Sequence, residues 1–151
     1  MNLNTMLLCR ARARLCALPL GHVIETMRPL PLRPLGGMPS FVKGVSVIRD
    51  APIPVVDLGA VLGLEDDARP ERLLTVRAGE RHVALAVESV IGVRTVDVTA
   101  LDVFPPLLGE SNADKVALLG ALQGELLLVL RAGRLVPESI WAELARGNSE
   151  S

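Results

Sequence analysis

Two cysteines, two histidines, a pair of adjacent aspartates and an arginine set in a turn are the residues of this chain whose chemistry is worth asking about. Cys9 and Cys16 do not form a CxxC pair, and either would be a nucleophile only with a base beside it. His22 and His82 stand in different halves, each next to apolar residues, as packed or surface histidines do. Asp66 and Asp67 belong to the charge run EDDARPE, a solvated stretch rather than a spaced acid and base. HExxH, a P-loop and GxGxxG are all missing, and Gly59-Ala-Val-Leu-Gly63 has GxxxG spacing without a membrane span around it. The reading is no catalytic residue, no metal and no cofactor. What is left is recognition. Residues 45–58 read VSVIRDAPIPVVDL, with Arg49 and Asp50 between two strand-like runs. An arginine there offers a planar, permanently charged fork to carboxylates or carbonyls. The plainer alternative is a solvated turn residue, or one paired with Asp50 or Asp57.

The chain has 151 residues, the size of one domain, and is 50% hydrophobic, enough for a sizeable core. With two Phe, one Trp and no Tyr it lacks the stacking platforms of single-strand binders, and a net charge of -1 gives no field for phosphate backbones. Nucleic acid is excluded as a first reading. Two cysteines make no disulfide framework, which points to a reduced, cytoplasmic setting. No apolar run is long enough for a membrane span, and the basic residues of MNLNTMLLCRARAR follow its short apolar run rather than precede it, so direct membrane insertion is not expected.

The elements that must position Arg49 are mostly strands. LLCRARARLCALPL alternates so as to place Arg10, Arg12 and Arg14 on a wet face. GHVIETM reads as one or two helical turns. RPLPLRPLGGMPSF, with Pro29, Pro31, Pro34 and Pro39, is a rigid extended connector. FVKGVSVI and IPVVDL are strands around the Arg49 turn, with Pro52 and Pro54 marking an edge or a strand start. GAVLGL is a short turn or helical cap, and EDDARPE a linker. RLLTVRAGERHVALAVESVIGVRTVDV reads as three strands with a turn at Ala78-Gly79-Glu80 and a break at Gly92. ALDVFPPLLGESNADK is a loop, KVALLGALQGELLLVLR a hairpin turning at Gln123-Gly124, and PESIWAELAR a final helix with Pro137 at its start, followed by a frayed GNSES.

The order repeats: hairpin, connector, hairpin, twice. LLCRARARLCALPLGHV resembles LLTVRAGERHVALAVESV, and FVKGVSVIRDAPIPVVDL resembles KVALLGALQGELLLVLR. Two small β-barrels packed together would use that order.

Four stretches carry a resemblance to the CheW family, the coupling proteins of bacterial chemosensory arrays. CALPLGHVIETMR, PLRPLGGMPSFVKGV, VSVIRDAPIPVVDL and RLLTVRAGERHVALAVESVIGV each follow a family motif, and together the match runs from about Met6 to about Val136. The connector followed by FVKGV is the most specific piece. The resemblance implies a mainly β fold of two SH3-like five-stranded barrels with short helices. The expected division is one CheW-like domain, with residues 1–66 plus 132–151 in the first barrel region and 67–131 in the second. It implies a non-enzymatic adaptor without cofactor. Its partners would be the cytoplasmic tip of a chemoreceptor (a methyl-accepting chemotaxis protein) and the regulatory domain of a CheA-type kinase, with recruitment to receptor arrays. Arg49 matches the arginine of the family's N-L-R-G turn, Gly44 the glycine of F-V-R-G-V, and Val23 and Glu25 the short-helix positions facing a groove between the barrels. His82 falls at another groove-facing position. Exposed aliphatic strand edges also suggest self-association.

Several residues depart from the family pattern. Asp50 replaces the glycine after Arg49, Arg12-Ala13 stand where glycines are usual in the first hairpin, and Cys16 replaces an aromatic. In the last hairpin Leu118 replaces a glycine and Arg131 an aspartate, and reversing a charge at a binding edge can remove a partner. The alternative reading is therefore an accessory CheW-like protein that binds a receptor but couples poorly to the kinase. A detached kinase regulatory fragment and a small thiol hydrolase or redox enzyme are more distant readings.

Overall fold

The computed structural model describes residues 1–64, 69–101 and 115–149. The core of EDDARPE and most of ALDVFPPLLGESNADK lie outside the described residues, as do the last two residues of the chain.

Ten strands form two sheets. They are β1 (Leu3–Ala11), β2 (Arg14–Pro19), β3 (Val23–Met27), β4 (Val42–Ile48), β5 (Ala51–Asp57), β6 (Arg72–Ala78), β7 (Arg81–Val87), β8 (Ser89–Asp97), β9 (Val116–Leu122) and β10 (Glu125–Leu130). Helix α1 (Leu58–Val61) follows β5 and helix α2 (Glu138–Ser149) ends the described chain. Sheet 1 has the order β8-β1-β2-β10-β9 and sheet 2 the order β3-β6-β7-β5-β4. Both are curled SH3-like sheets rather than closed barrels, with end strands left at their edges.

The strand pairing cuts the chain differently from the expected division. Hairpin β1–β2 belongs to sheet 1, but β3, β4 and β5 of the same half all pair within sheet 2. The second half mirrors this: β6–β7 lies in sheet 2, and β8, β9 and β10 return to sheet 1. The repeat is therefore real and exchanged, each sheet combining the first hairpin of one half with the remaining strands of the other. Parallel pairs make the joins, β10 with β2 and β5 with β7. Parallel neighbours need a long crossover, which the intervening half supplies.

The central strands β7 and β10 are buried on both faces, which explains why LLLVL and VALAV read as continuous apolar runs rather than clean alternation. Met6, Leu8, Leu15, Ala17, Leu127 and Val129 fill the concave side of sheet 1. Ile48, Ile53, Val55, Leu73, Ala84 and Ala86 do so in sheet 2. A third and larger core lies between the sheets and includes Leu7, Leu18 and Leu128 from one, and Leu74, Val83 and Leu85 from the other, capped by Trp141 and Leu144 of α2.

Three local expectations change. GHVIETM forms a 3-10 turn at Leu20–His22 and then strand β3, not helical turns. Its side chains are half-buried on one face only, and pairing with β6 decides the conformation. Gly92 lies inside β8, whose ladder with β1 shifts register at Leu8/Cys9 but is not broken there. The chain stays helical through Ser149, where fraying was expected from residue 147. Pro52 and Pro54 do stand at a strand start, on the interior strand β5. That strand pairs with β7 only through Val55–Asp57, and the prolines ahead of it supply no N–H to extend the ladder.

Candidate recognition face on sheet 2

Arg49 and Asp50 form the two-residue turn between β4 and β5, with φ of 53° and 64°. Two successive positive φ values are the mark of a type I′ hairpin turn, which glycine and asparagine adopt more easily. The turn aims Arg49 back across the sheet at Glu25 of β3. Its Nε donates to Oε1 at 3.0 Å and its Nη2 to Oε2 at 2.8 Å, a two-pronged pair. The expected alternatives, Asp50 and Asp57, are not its partners: Asp50 is exposed and Asp57 is engaged elsewhere.

Glu25 is held for this role by Thr75, a residue that sequence reasoning missed. The register of β3 on β6 shifts between Val23 and Glu25. There the buried Thr75 hydroxyl accepts from the Glu25 N–H and donates to the Glu25 carbonyl, both at 3.2 Å. A buried hydroxyl on a strand facing a bulge was the available signal. The hydrogen bond from Arg49 draws the Glu25 carboxyl below its ordinary range, and the same bond raises the Arg49 guanidinium.

Beside the pair lies a recess of about 210 Å³ lined by Ile24, Glu25, Ile48, Arg49, Ala51, Ile53, Thr75 and His82. Its character is apolar with a charged rim. A second recess of about 370 Å³ opens where β5 and β7 diverge, lined by Pro52, Ile53, Pro54, Arg81, His82 and Trp141 among others. Ile53 and His82 border both. Arg81 stacks 5.0 Å from the Trp141 ring and grips Glu138 through two N–H···O bonds of 3.0 and 2.7 Å, seating the start of α2.

The structure thus gathers Glu25, Arg49, Asp50 and His82 on one end of sheet 2. Val23 lies on the same strand as Glu25 but packs against the core between the sheets. Gly44 is on β4 with φ +142°, and a Cβ there would stand 2.3 Å from the Arg33 carbonyl oxygen. Arg33 and Val45 exchange main-chain hydrogen bonds of 2.8 and 2.9 Å, so the close approach at Gly44 is made by the chain's own connector. Arg131 lies apart, exposed at the end of β10 in sheet 1, where its N–H bonds the Lys115 carbonyl at 2.8 Å.

The thiols are poor nucleophiles. Cys9 and Cys16 face each other across β1 and β2 with no exposed surface. Burial pushes the Cys16 thiol up to about 12 and Cys9 well above its ordinary value. Among the described residues no group of three metal-ligating side chains occurs, and no helix is long and apolar enough to cross a membrane.

The model of the CheW-like domain matches residues 5–139. The chain belongs to the CheW-like family. It is 36% identical over 108 residues to protein FrzA of Myxococcus xanthus, an alignment covering 70% of this chain and 65% of that protein, just under two thirds of the relative's length. The solved structure of the scaffolding protein TtCheW from Thermoanaerobacter tengcongensis superposes with a TM-score of 0.78 at 18% identity, covering 89% of this chain and 88% of that one. At that identity the likeness speaks for the fold. Gly44 lies within β4 and Arg49 in the β4–β5 turn, while Val23 and Glu25 sit on strand β3 rather than on the expected short helix.

Proposed function

We propose that this chain is a non-enzymatic, cytoplasmic adaptor of a bacterial chemosensory system. It joins a chemoreceptor's cytoplasmic tip to the regulatory domain of a CheA-type kinase. The receptor contact is the end of sheet 2 that carries Glu25, Arg49, Asp50 and His82, with Val23 and Gly44 shaping the strands behind it. The kinase contact uses other barrel surfaces, with Arg131 at one of them.

One observation carries the reading. The Arg49–Glu25 pair is geometrically good yet exposed, the arginine side chain being 80% accessible. Exposed pairs contribute only about 0–1 kcal/mol to stability. Holding an arginine fork rigid beside an apolar recess serves recognition better, because an ordered side chain loses less entropy when a partner arrives. With two of its donor groups spent on Glu25, the guanidinium still has outward N–H groups for the carboxylates or carbonyls of a receptor helix.

The test is calorimetry with two separate titrants, a receptor signalling-tip fragment and the regulatory domain of the cognate kinase. The proposal expects binding to both, with dissociation constants in the micromolar range or weaker, as small transient interfaces give. Binding to the receptor alone would establish the accessory reading instead, with Leu118 and Arg131 as the first positions to revert. Binding to neither would overturn the adaptor assignment.

A further inference from the structure

The turn of the first hairpin sends a side chain across the boundary between the sheets. Arg12 and Ala13 form it with φ of 51° and 66°, unfavourable for residues that carry a Cβ. Arg12 Nη2 donates to Asp57 Oδ2 at 2.7 Å, and the Arg12 main-chain N–H donates to Glu88 Oε2 at 2.6 Å. Asp57 ends β5 of sheet 2, and Glu88 is the single residue that joins β7 of sheet 2 to β8 of sheet 1. Asp57 is almost fully buried at 3% accessibility and Arg12 mostly so at 19%. Asp57 is itself fixed: its Oδ1 accepts from the Ala60 N–H at 3.3 Å as the N-cap of α1, and Lys43 Nζ lies 3.9 Å from Oδ2, the oxygen that Arg12 also reaches. Gly59 makes the passage: a Cβ there would lie 2.0 Å from Arg12 Cγ.

The core between the sheets is almost wholly aliphatic, and aliphatic contact is non-directional. Such a layer holds two sheets together without by itself distinguishing one rotation from a close alternative. A buried, directional charge pair selects one arrangement out of many. We propose that Arg12 is a positioning residue: its pair with Asp57 fixes the orientation of sheet 1 on sheet 2. On the adaptor reading given above, on which this consequence rests, the pair sets the angle at which the partner surfaces are presented. The left-handed turn at Arg12-Ala13 is maintained because it delivers the guanidinium to Asp57.

The experiment measures the inter-sheet distance in the full chain by pulsed electron–electron dipolar spectroscopy. Spin labels go on Thr95→Cys in β8 and Val47→Cys in β4, both exposed positions. The buried native thiols stay unlabelled, which mass spectrometry verifies. The otherwise unaltered chain is expected to give one narrow distance. Arg12→Gly, a substitution suited to the turn, is expected to broaden it and add longer distances while strand circular dichroism is retained. Asp57→Asn, which keeps the helix cap, should broaden it similarly, and the double variant should be no broader than either single one. Arg12→Lys should restore part of the narrowness. An Arg12→Gly distribution as narrow as that of the unaltered chain would overturn the proposal, as would a Lys variant no narrower than the Gly variant. No partner is needed for this reading, so its failure is distinct from failure of the adaptor assignment.

Discussion

Arg12 and Arg49 occupy the same kind of place and serve opposite ends. Each opens a two-residue turn in which neither residue is glycine and both take positive φ. Each reaches a carboxylate on another strand at 2.7–2.8 Å. Their counterparts in the repeat are ordinary by contrast: Gly79-Glu80 and Gln123-Gly124 use glycine at a positive φ, with open space where a Cβ would be. The difference between the arginines is burial. Asp57 is 3% accessible, whereas Glu25 is 26% accessible beneath an arginine that is 80% exposed. The same turn chemistry therefore gives an internal strut in sheet 1 and an outward-facing fork in sheet 2. Burial decides which property a mutation will move.

The largest expected effect is at the strut. Asp57→Ala should destabilise the fold by about 3 kcal/mol, because it leaves the Arg12 guanidinium without its buried counter-ion and removes the α1 cap. Chemical denaturation would measure it, and a loss below about 1 kcal/mol would put this pair in the same class as the surface one. Next comes the fork. Arg49→Ala should leave the unfolding free energy almost unchanged, as the loss of an exposed pair does, while weakening receptor-tip binding about tenfold. A stability loss as large as that of Asp57→Ala would erase the distinction. The smallest effect concerns Glu88, whose carboxyl is raised, first by burial and then by the Asp57 charge, against the lowering bonds from main-chain N–H groups and the Arg12 charge. A carboxyl raised by folding stabilises the fold below its unfolded pKa, and that contribution is lost as pH rises through the folded value. Glu88→Gln keeps an acceptor for the Arg12 N–H. Its stability relative to the unaltered chain should therefore climb as pH rises from about 4.3, the free glutamate value, and level off above the raised value. Denaturation curves between mildly acidic and neutral pH check this; a difference that falls with rising pH would reverse the assigned sign.

Much of the architecture was legible from local pattern. The hairpin turns at Arg49-Asp50 and Gln123-Gly124, the extended proline connector and the α2 start at Pro137 all follow from residue chemistry that acts within a few positions. The exchange of strands between halves was not legible, because the pairing of β3 with β6 or of β10 with β2 joins segments far apart in sequence and leaves no local mark. Glu25 and Arg49 were singled out by family motif, yet their mutual pairing was not foreseen. Arg12 was read as one of three wet-face arginines with Arg10 and Arg14. Alternation places it there only if the strand continues, and the turn lifts it off that face. Arg10 pairs with Glu125 and stays within sheet 1. Gly59, in a spacing that carried no meaning by itself, is explained once the Arg12 stem is seen against it.

The most direct test of the central claim is the affinity of a receptor signalling-tip fragment for Arg49→Glu, measured by calorimetry beside the unaltered chain, with thermal midpoints recorded for both. The account predicts binding weakened by at least about tenfold, the equivalent of 1.4 kcal/mol, with thermal midpoints that nearly coincide. An unchanged dissociation constant in a folded Arg49→Glu protein would contradict it.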